Sequence, residues 1–135
     1  MKFKFIDLFA GIGGFHLALN KLNGECVFAS EWDKECQKVY EKNFQIKPFG
    51  DITKIEEKNI PKHDVLCAGF PCQAFSVSGK RLGFKDTRGT LFFDVARIIK
   101  YHQPKLILLE NVKNFLTHDN GNTISVVKKT LEELN

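Results

Sequence analysis

The chain has 135 residues, of which 43% are hydrophobic and 27% charged, and these ordinary values argue against a disordered protein. The formal net charge of +4 permits a polyanionic partner without requiring one. No apolar run approaches the ~20 residues needed to span a membrane, and the N-terminus lacks a signal-peptide core. We therefore expect a cytoplasmic protein that has no membrane partner.

Strands and helices are predicted from short apolar runs that alternate with helix-period segments. Strands are predicted over residues 3–9, 26–30, 64–68 and 105–109, with residues 49–51 forming either a short third strand or an extended loop. Four helices are predicted from apolar faces. The first face consists of Phe15, Leu19 and Leu22, and the second, after the N-cap Asp33, of Cys36, Val39 and Tyr40. The third, in a helix over 91–101, consists of Leu91, Phe92, Val95, Ile98 and Ile99, and the fourth of Ile124, Val127, Leu131 and Leu134. Apolar strands alternating with amphipathic helices predict an α/β fold with a doubly wound, mainly parallel sheet.

A glycine turn after the first strand is the first candidate binding site. Residues 11–14 spell Gly-x-Gly-Gly, and such glycines let the backbone and its helix-terminal N–H groups approach a ligand. Taken alone, this turn is equally a tight corner between a strand and a helix. Glu31 follows Gly11 by 20 residues, where a carboxylate can accept hydrogen bonds from both ribose hydroxyls, and Trp32 can stack on an adenine. Together these features favour a nucleoside site.

The glycine spacing also distinguishes between two cofactors. The turn lacks the third spaced glycine of the dinucleotide fingerprint. Because a sulfonium cofactor carries no pyrophosphate, S-adenosylmethionine is favoured over NAD. Asp51 either accepts a hydrogen bond from the adenine amino group or is a surface turn residue, and the sequence leaves both readings open.

The four cysteines differ in their surroundings. They show no paired CxxC spacing and lie far from the four histidines in the sequence, so neither a metal site nor a disulfide framework is favoured. Cys26, Cys36 and Cys67 are expected to be buried, inert thiols. Cys72 lies instead in a loop with glycine and proline.

A thiol and a carboxyl group each follow a predicted strand. Cys72 comes after strand 64–68, where Pro71 fixes the backbone before it, and a thiolate is intrinsically very nucleophilic. Glu110 directly follows strand 105–109, and the alternatives for it are a helix cap or a surface acid. If the strand order is 3-2-1-4-5, the carboxyl edge of the sheet carries Glu31, the glycine turn, Cys72 and Glu110 side by side. In that order they would supply a ribose site, a place for the methyl donor, a nucleophile and an acid, which are the groups that a methyl transfer needs.

A long connection over residues 69–90 shows no obvious element of its own, which is typical of a functional loop. Residues 76–90 carry four positive charges and one negative charge. An ordinary solvated loop is possible, but its place after Cys72 favours a glycine-hinged lid that closes on a phosphate backbone.

Three ordered motifs resemble those of the cytosine-5 DNA methyltransferases, and of the bacterial restriction–modification type in particular. They are residues 7–14 (DLFAGIGG), 69–73 (GFPCQ) and 110–112 (ENV), and the likeness extends through 31–33 (EWD), 50–52 (GDI) and 88–93 (RGTLFF). The resemblance implies a Rossmann-like methyltransferase fold in the bacterial cytoplasm, with S-adenosylmethionine as cofactor and double-stranded DNA as partner. It implies that Cys72 attacks carbon 6 of a flipped-out cytosine while Glu110 hydrogen-bonds to or protonates ring nitrogen 3.

The resemblance also assigns binding roles. The cofactor would be lined by Phe9, Gly11, Gly13 and Gly14, its ribose held by Glu31, and its adenine framed by Trp32, Asp51 and Ile52. The expected DNA contacts are Ser76, Ser78, Lys80 and Arg88, although Arg88 could equally anchor the lid to the protein.

The later motifs of the family are missing from residues 1–135, including its target-recognition region. We therefore expect the N-terminal part of a catalytic domain, incomplete at the C-terminus and inactive alone. The alternatives are a subunit of a split methyltransferase that works with a complementary C-terminal polypeptide, a non-catalytic nucleotide-binding module, and a nicotinamide oxidoreductase. An RNA cytosine is an alternative substrate, because the thiol chemistry does not depend on the sugar.

Overall fold

A computed structural model describes residues 1–72 and 83–134 of the chain. Its four strands are β1 (Phe3–Leu8), β2 (Gly24–Ser30), β3 (Val65–Ala68) and β4 (Leu106–Leu109), and its four α-helices are α1 (Gly14–Asn20), α2 (Lys34–Phe44), α3 (Leu91–His102) and α4 (Asn122–Glu133). Each predicted strand other than the undecided third segment is therefore confirmed to within two residues. The predicted helices are confirmed as well, although α1 is shorter than its predicted apolar face.

The strands form one parallel sheet in the order β2-β1-β3-β4. The third segment is extended and makes a single parallel bridge, from Phe49 to Ser30 at the end of β2. Counting that bridge, the order is 3-2-1-4-5, which was the condition for the expected arrangement at the carboxyl edge. The carboxyl ends are in register, because Leu8 pairs with Ser30 and with Ala68, and Ala68 pairs with Leu109.

The chain divides into two compact units. Unit 1 consists of Met1–Gly69 and Pro104–Leu109, and unit 2 of Phe70–Gln103 and Glu110–Asn135. Unit 1 holds the sheet with α1 and α2, whereas unit 2 holds α3 and α4. In unit 1 the side chains of Phe5, Leu19, Val65 and Cys67 form a buried cluster. Among the described residues, no helix is long and apolar enough to cross a membrane.

Two helix boundaries follow from capping. Asp33 begins α2, where its side chain accepts a hydrogen bond of 2.8 Å from the N–H of Cys36, as predicted. The helix ends at Gln45, whose positive φ of 58° breaks the helical path. In the same way, the Thr90 side chain caps α3 by accepting from the N–H of Phe93 at 3.3 Å.

Two predicted helical faces need correction, and a third includes polar residues that were not predicted. Leu22 is 64% exposed because α1 ends at Asn20, two residues before it. Val39 is 42% exposed, and the buried positions of α2 are Gln37 and Tyr40. In α4 the fully buried residues include Thr123 and Thr130. Polar side chains occupy these interior positions because each has a hydrogen-bond partner, which an apolar pattern does not reveal.

Candidate cofactor and nucleophile sites

The glycine turn departs from regular structure directly after β1. Phe9, Gly11 and Gly13 all have a positive φ, of 54°, 56° and 96°. The turn is closed by a hydrogen bond of 2.9 Å from the N–H of Gly13 to Ala10 O, and the N–H of Ala10 donates to Ser30 O at 2.9 Å. The turn is therefore hydrogen-bonded to the end of β2, which the predicted ribose-binding residue Glu31 directly follows.

The three glycines have different surroundings. A Cβ added at Gly13 would collide with the ring of Phe44 from α2, so this glycine is required by internal packing. A Cβ at Gly11 or Gly14 would meet no described heavy atom within 4 Å. Gly11 and Gly14 therefore offer open backbone to a ligand, whereas Gly13 shapes the turn.

Glu31 is brought to the turn as predicted. It follows β2, is only 8% exposed, and accepts a hydrogen bond of 2.7 Å from the N–H of Gly11. Its second carboxylate oxygen accepts from the N–H of Asp33 at 3.0 Å. Each carboxylate oxygen can accept a further hydrogen bond, so both could take a hydroxyl from a ligand. The carboxylate is held in place before any ligand arrives.

The residues expected around an adenine differ in exposure. Trp32 is 77% exposed, so its ring is accessible for stacking, whereas Ile52 is 3% exposed. Asp51 accepts hydrogen bonds at Oδ1 from the N–H and the hydroxyl of Thr53. These bonds lower the pKa of Asp51 and cap a short 3₁₀ helix over Ile52–Lys54. The capping role supports the turn-residue alternative for Asp51.

A buried polar cluster lies in unit 1, next to the strand that leads into the turn. Asp7 is 1% exposed, and its Oδ2 accepts from the Tyr40 hydroxyl at 3.5 Å. The Tyr40 hydroxyl also lies 2.7 Å from His16 Nδ1 and 3.7 Å from Cys26 Sγ. Burial raises the pKa of Asp7 to about 7, the Tyr40 bond opposes this, and the charge of Glu31 adds to it. Sequence reasoning missed this cluster, although a carboxylate inside an apolar strand was a usable signal.

The four thiols differ in burial: Cys67 is buried as predicted, whereas Cys26 and Cys36, which were also predicted to be buried, are only half-buried. Burial raises the pKa of Cys67 to about 12 and that of Cys26 to about 11, so neither forms a thiolate readily. Burial also raises the pKa of the half-buried Cys36. Cys72 alone among the cysteines is exposed.

Aromatic packing in unit 2 anchors the chain before Cys72. Phe70 is 4% exposed, and its ring lies 5.3 Å from Phe92 and 5.6 Å from Phe115, measured between centroids. Pro71 and Cys72 follow this anchor and are exposed. The anchor fixes the start of the loop that carries the thiol.

Asn111 connects the thiol segment to the carboxyl segment. Its Nδ2 donates to Phe70 O at 2.8 Å, and its Oδ1 accepts from the N–H of Val112 at 2.8 Å. Glu110, directly before it, is exposed. The bond brings residues 70 and 111 together although 41 positions separate them in the sequence. Asn111 belongs to the motif over residues 110–112, but the sequence pattern indicates no role for it.

The predicted lid and DNA contacts fall only partly on described residues. Ser76, Ser78 and Lys80 lie outside the residues that the structure describes, and Arg88 is exposed. Residues 83–90 are not free of structure, because Gly83–Lys85 form a 3₁₀ helix. Further hydrogen bonds of this stretch run from the Thr87 hydroxyl to Phe84 O, from the Thr90 hydroxyl to Thr87 O, and from the Phe84 N–H to the Glu133 carboxylate. This half of the predicted lid is therefore built into unit 2.

The sequence matches the model of the C-5 cytosine-specific DNA methylase family over residues 3–135. The chain belongs to this family. Among methylases of known name, the type II methyltransferase M.HhaI of Haemophilus parahaemolyticus is 65% identical over 131 residues, which are 97% of this chain and 40% of the relative. M.HpaII of Haemophilus parainfluenzae is 62% identical over 134 residues, which are 98% of this chain and 37% of the relative. The chain thus spans about two fifths of the length of these relatives.

Solved methyltransferase structures share the fold of this methylase chain. Dnmt2 of S. pombe has a TM-score of 0.73 at 24% identity, covering 98% of this chain and 42% of that one. A DNMT2 mutant of Spodoptera frugiperda has a TM-score of 0.64 at 29% identity, covering 94% of this chain and 41% of that one. The predicted family and the predicted Rossmann-like methyltransferase fold are both confirmed.

Proposed function

We propose that the protein transfers a methyl group from S-adenosylmethionine to carbon 5 of a flipped-out cytosine in double-stranded DNA, within a bacterial restriction–modification system. In this proposal Cys72 is the nucleophile and Glu110 the acid. The observation that carries it is the 2.8 Å hydrogen bond from Asn111 to Phe70 O, since it ties the segment before the exposed thiol to the segment after the carboxyl group. Membership of the methylase family over residues 3–135 supports it further.

The proposed reaction follows from the weak nucleophilicity of carbon 5 in cytosine. The Cys72 thiolate adds to carbon 6 and forms a sulfur–carbon bond, the electron pair of the carbon 5–carbon 6 double bond is displaced towards ring nitrogen 3, and Glu110 stabilises it by hydrogen-bonding to or protonating that nitrogen. Carbon 5 is then part of an enamine and can accept a methyl group. S-adenosylmethionine supplies that methyl group as an electrophile. Solvent takes the carbon 5 proton as the sulfur–carbon bond breaks and returns the thiolate, and Glu110 takes back any proton that it gave to ring nitrogen 3, which restores the aromatic ring.

The geometry of unit 1 fits such a cofactor. Gly11 and Gly14 leave open space beside the turn, and the Glu31 carboxylate is held ready for two hydroxyl groups. The exposed ring of Trp32 offers a stacking surface. The proposed cofactor residues are Phe9, Gly11, Gly13, Gly14, Glu31, Trp32, Asp51 and Ile52, with Gly13 acting through the shape of the turn.

Duplex DNA is proposed as the substrate for a chemical reason. A thiol cannot reach carbon 6 of a stacked base, so the cytosine must leave the helix before it reacts. Contacts from lysine and arginine side chains to the phosphates hold the duplex in place on the protein. The proposed contacts are Ser76, Ser78, Lys80 and the exposed Arg88.

We further propose that a second part of the catalytic domain completes unit 1 along β4. Whereas β3 is buried throughout, Leu106 of β4 is 51% exposed and the rest of that strand is half-buried. Strands of parallel sheets are normally covered on both faces. The relatives are more than twice as long as this chain, which supports a covering segment from the remainder of the domain, in the same or a complementary polypeptide.

A trapped covalent adduct tests the assignment of Cys72. The chain is combined with the part of the M.HhaI relative that it does not cover, which we call the assembled enzyme. With S-adenosylmethionine and a duplex carrying 5-fluorocytosine, mass spectrometry should find the oligonucleotide attached to Cys72, because fluorine cannot leave as a cation. Cys72→Ala should abolish the adduct and Cys36→Ala should retain it. An adduct that persists in Cys72→Ala would contradict the proposal.

Two further comparisons separate the proposed function from its rivals. Glu110→Gln should lower methylation far less than Cys72→Ala, because an amide still donates a hydrogen bond to ring nitrogen 3. Equal and complete losses would contradict the role of Glu110. Calorimetry of the chain with S-adenosylmethionine and with NAD should detect binding of the first only, whereas preference for NAD would favour an oxidoreductase.

A further inference from the structure

Gln37 is a buried amide on a helix whose surface is otherwise mostly polar and exposed. It lies one turn into α2, is 6% exposed, and donates from Nε2 to the backbone oxygen of Glu31. Burying an amide is unfavourable unless its hydrogen bonds are made. Helical side chains lean towards the N-terminus of their helix, which explains how Gln37 reaches back to residue 31.

The polar groups of Glu31 are held by four different partners. Its N–H donates to Phe49 O at 2.9 Å, and its backbone oxygen accepts from Gln37. Its carboxylate accepts from the N–H groups of Gly11 and Asp33. Of these four partners, Gln37 is the one that contributes a side chain, so its contribution can be removed by a single substitution.

We propose that Gln37 is a positioning residue that sets the direction of the Glu31 carboxylate towards the cofactor ribose. This inference rests on the proposed function, because it assumes that Glu31 binds the ribose. The bond to Gln37 fixes the peptide plane between Glu31 and Trp32. Rotation of that plane would move the N–H of Asp33 and the carboxylate that accepts from it. Gln37 therefore acts on the ligand through Glu31, without touching it.

Paired ligands test this role by calorimetry on the chain. S-adenosylhomocysteine has both ribose hydroxyls, and its 2′,3′-dideoxy analogue has neither. Gln37→Met should weaken binding of S-adenosylhomocysteine about tenfold, the size expected when a hydrogen bond to a charged group is misaligned, and should leave binding of the analogue almost unchanged. Lys38→Met, at the exposed neighbouring position, should bind both ligands like the unsubstituted chain.

A second variant keeps the test decisive if Gln37→Met fails to fold. Gln37→Glu has the same length, but its ionised carboxylate cannot donate to the Glu31 oxygen. Its affinity for S-adenosylhomocysteine, relative to the unsubstituted chain at the same pH, should recover as acidification protonates the introduced group. A purely structural role would weaken binding of both ligands equally, so the ratio of the two affinities would not change with pH.

The outcomes distinguish the inference from the proposed function. If the unsubstituted chain binds both ligands equally or binds neither, the ribose site is wrong and the role of Gln37 falls with it. If the unsubstituted chain discriminates between the ligands and the Gln37 variants discriminate equally well, the positioning role alone is overturned. Loss of discrimination in both Gln37 variants supports it.

Discussion

At the residue scale, Asn111 is the side chain that links the segments carrying the proposed nucleophile and acid. We expect Asn111→Ala in the assembled enzyme to slow adduct formation on 5-fluorocytosine DNA by about 10- to 100-fold, because small misplacements of reacting groups are this costly. The bond to Phe70 O would be lost while Cys72 and Glu110 remained. Adduct formation followed over time by mass spectrometry measures the effect.

A neighbouring asparagine provides the control for this prediction. Asn114 is exposed, so Asn114→Ala should form the adduct at the unsubstituted rate. Binding of S-adenosylhomocysteine should be unchanged in both variants, since the cofactor residues belong to unit 1. An unchanged adduct rate in Asn111→Ala would show that the Phe70 anchor alone positions the thiol.

Asp7 gives a prediction about pH. Its pKa is raised by burial to about 7, whereas an unfolded aspartate titrates near ~3.9. The protonated form is therefore favoured by folding, so the stabilisation is complete below about pH 4 and is lost as the pH rises to about 7. From pH 5 to pH 8, the free energy of unfolding of the unsubstituted chain should fall by about 2–3 kcal/mol relative to that of Asp7→Asn, because the asparagine stays neutral.

Urea unfolding of both chains at the two pH values measures this difference. The comparison between variants matters because His16 has the opposite effect. Burial lowers its pKa, so its contribution to stability rises with pH up to the unfolded value. Taking the difference removes the part of that contribution that does not depend on Asp7. A constant difference in the free energy of unfolding would show that Asp7 is not protonated in the folded chain.

At the scale of elements, the contact between the glycine turn and α2 predicts unequal effects of two similar substitutions. Gly11 and Gly13 both have a positive φ, but only Gly13 faces the ring of Phe44. That ring is stacked 3.9 Å from His16 and lies 4.9 Å from Tyr40, so it has little freedom to move. Gly11→Ala should lower the free energy of unfolding by about 1–2 kcal/mol through backbone strain alone. Gly13→Ala should lower it clearly more, because the added Cβ also overlaps the Phe44 ring.

A double substitution identifies the cause of that excess. Phe44→Ala opens the space beside position 13, so Gly13→Ala should cost less in that background than in the unsubstituted chain. Gly11→Ala should cost the same in both backgrounds. Urea unfolding of the six chains tests both statements, and equal costs for the two glycines would contradict the packing explanation.

Most elements could be predicted from the sequence because their patterns are local. The apolar strands, the helix periods and the Asp33 cap were all predictable, whereas the strand order could only be assumed from the expected fold. The third strand could not be decided because Phe49 makes one bridge and no ladder. Leu22 and Val39 were misassigned because helix length and interior polar bonds depend on distant partners.

The candidate site likewise combines features that follow from local sequence patterns with features that depend on contacts elsewhere in the fold. The closeness of Glu31 to Gly11 was predictable, since both follow neighbouring strands of a parallel sheet. The exposure of Cys72 followed from its glycine and proline neighbours. Gln37 and Asn111 could not be assigned, because their partners are backbone oxygens that no residue pattern marks.

At the scale of the whole molecule, we expect the proposed chemistry to require more than these 135 residues. The relatives devote about three fifths of their length to segments that this chain does not match, and β4 is left half-exposed. We therefore expect the chain alone to bind S-adenosylhomocysteine and to transfer no methyl group to a cytosine-containing duplex above the level of Cys72→Ala. Adding the remaining part of the M.HhaI relative should restore transfer of a tritiated methyl group, and Cys72→Ala should prevent that restoration. Substantial methylation by the chain alone would show that the nucleophile, the acid and the cofactor site suffice without a second part.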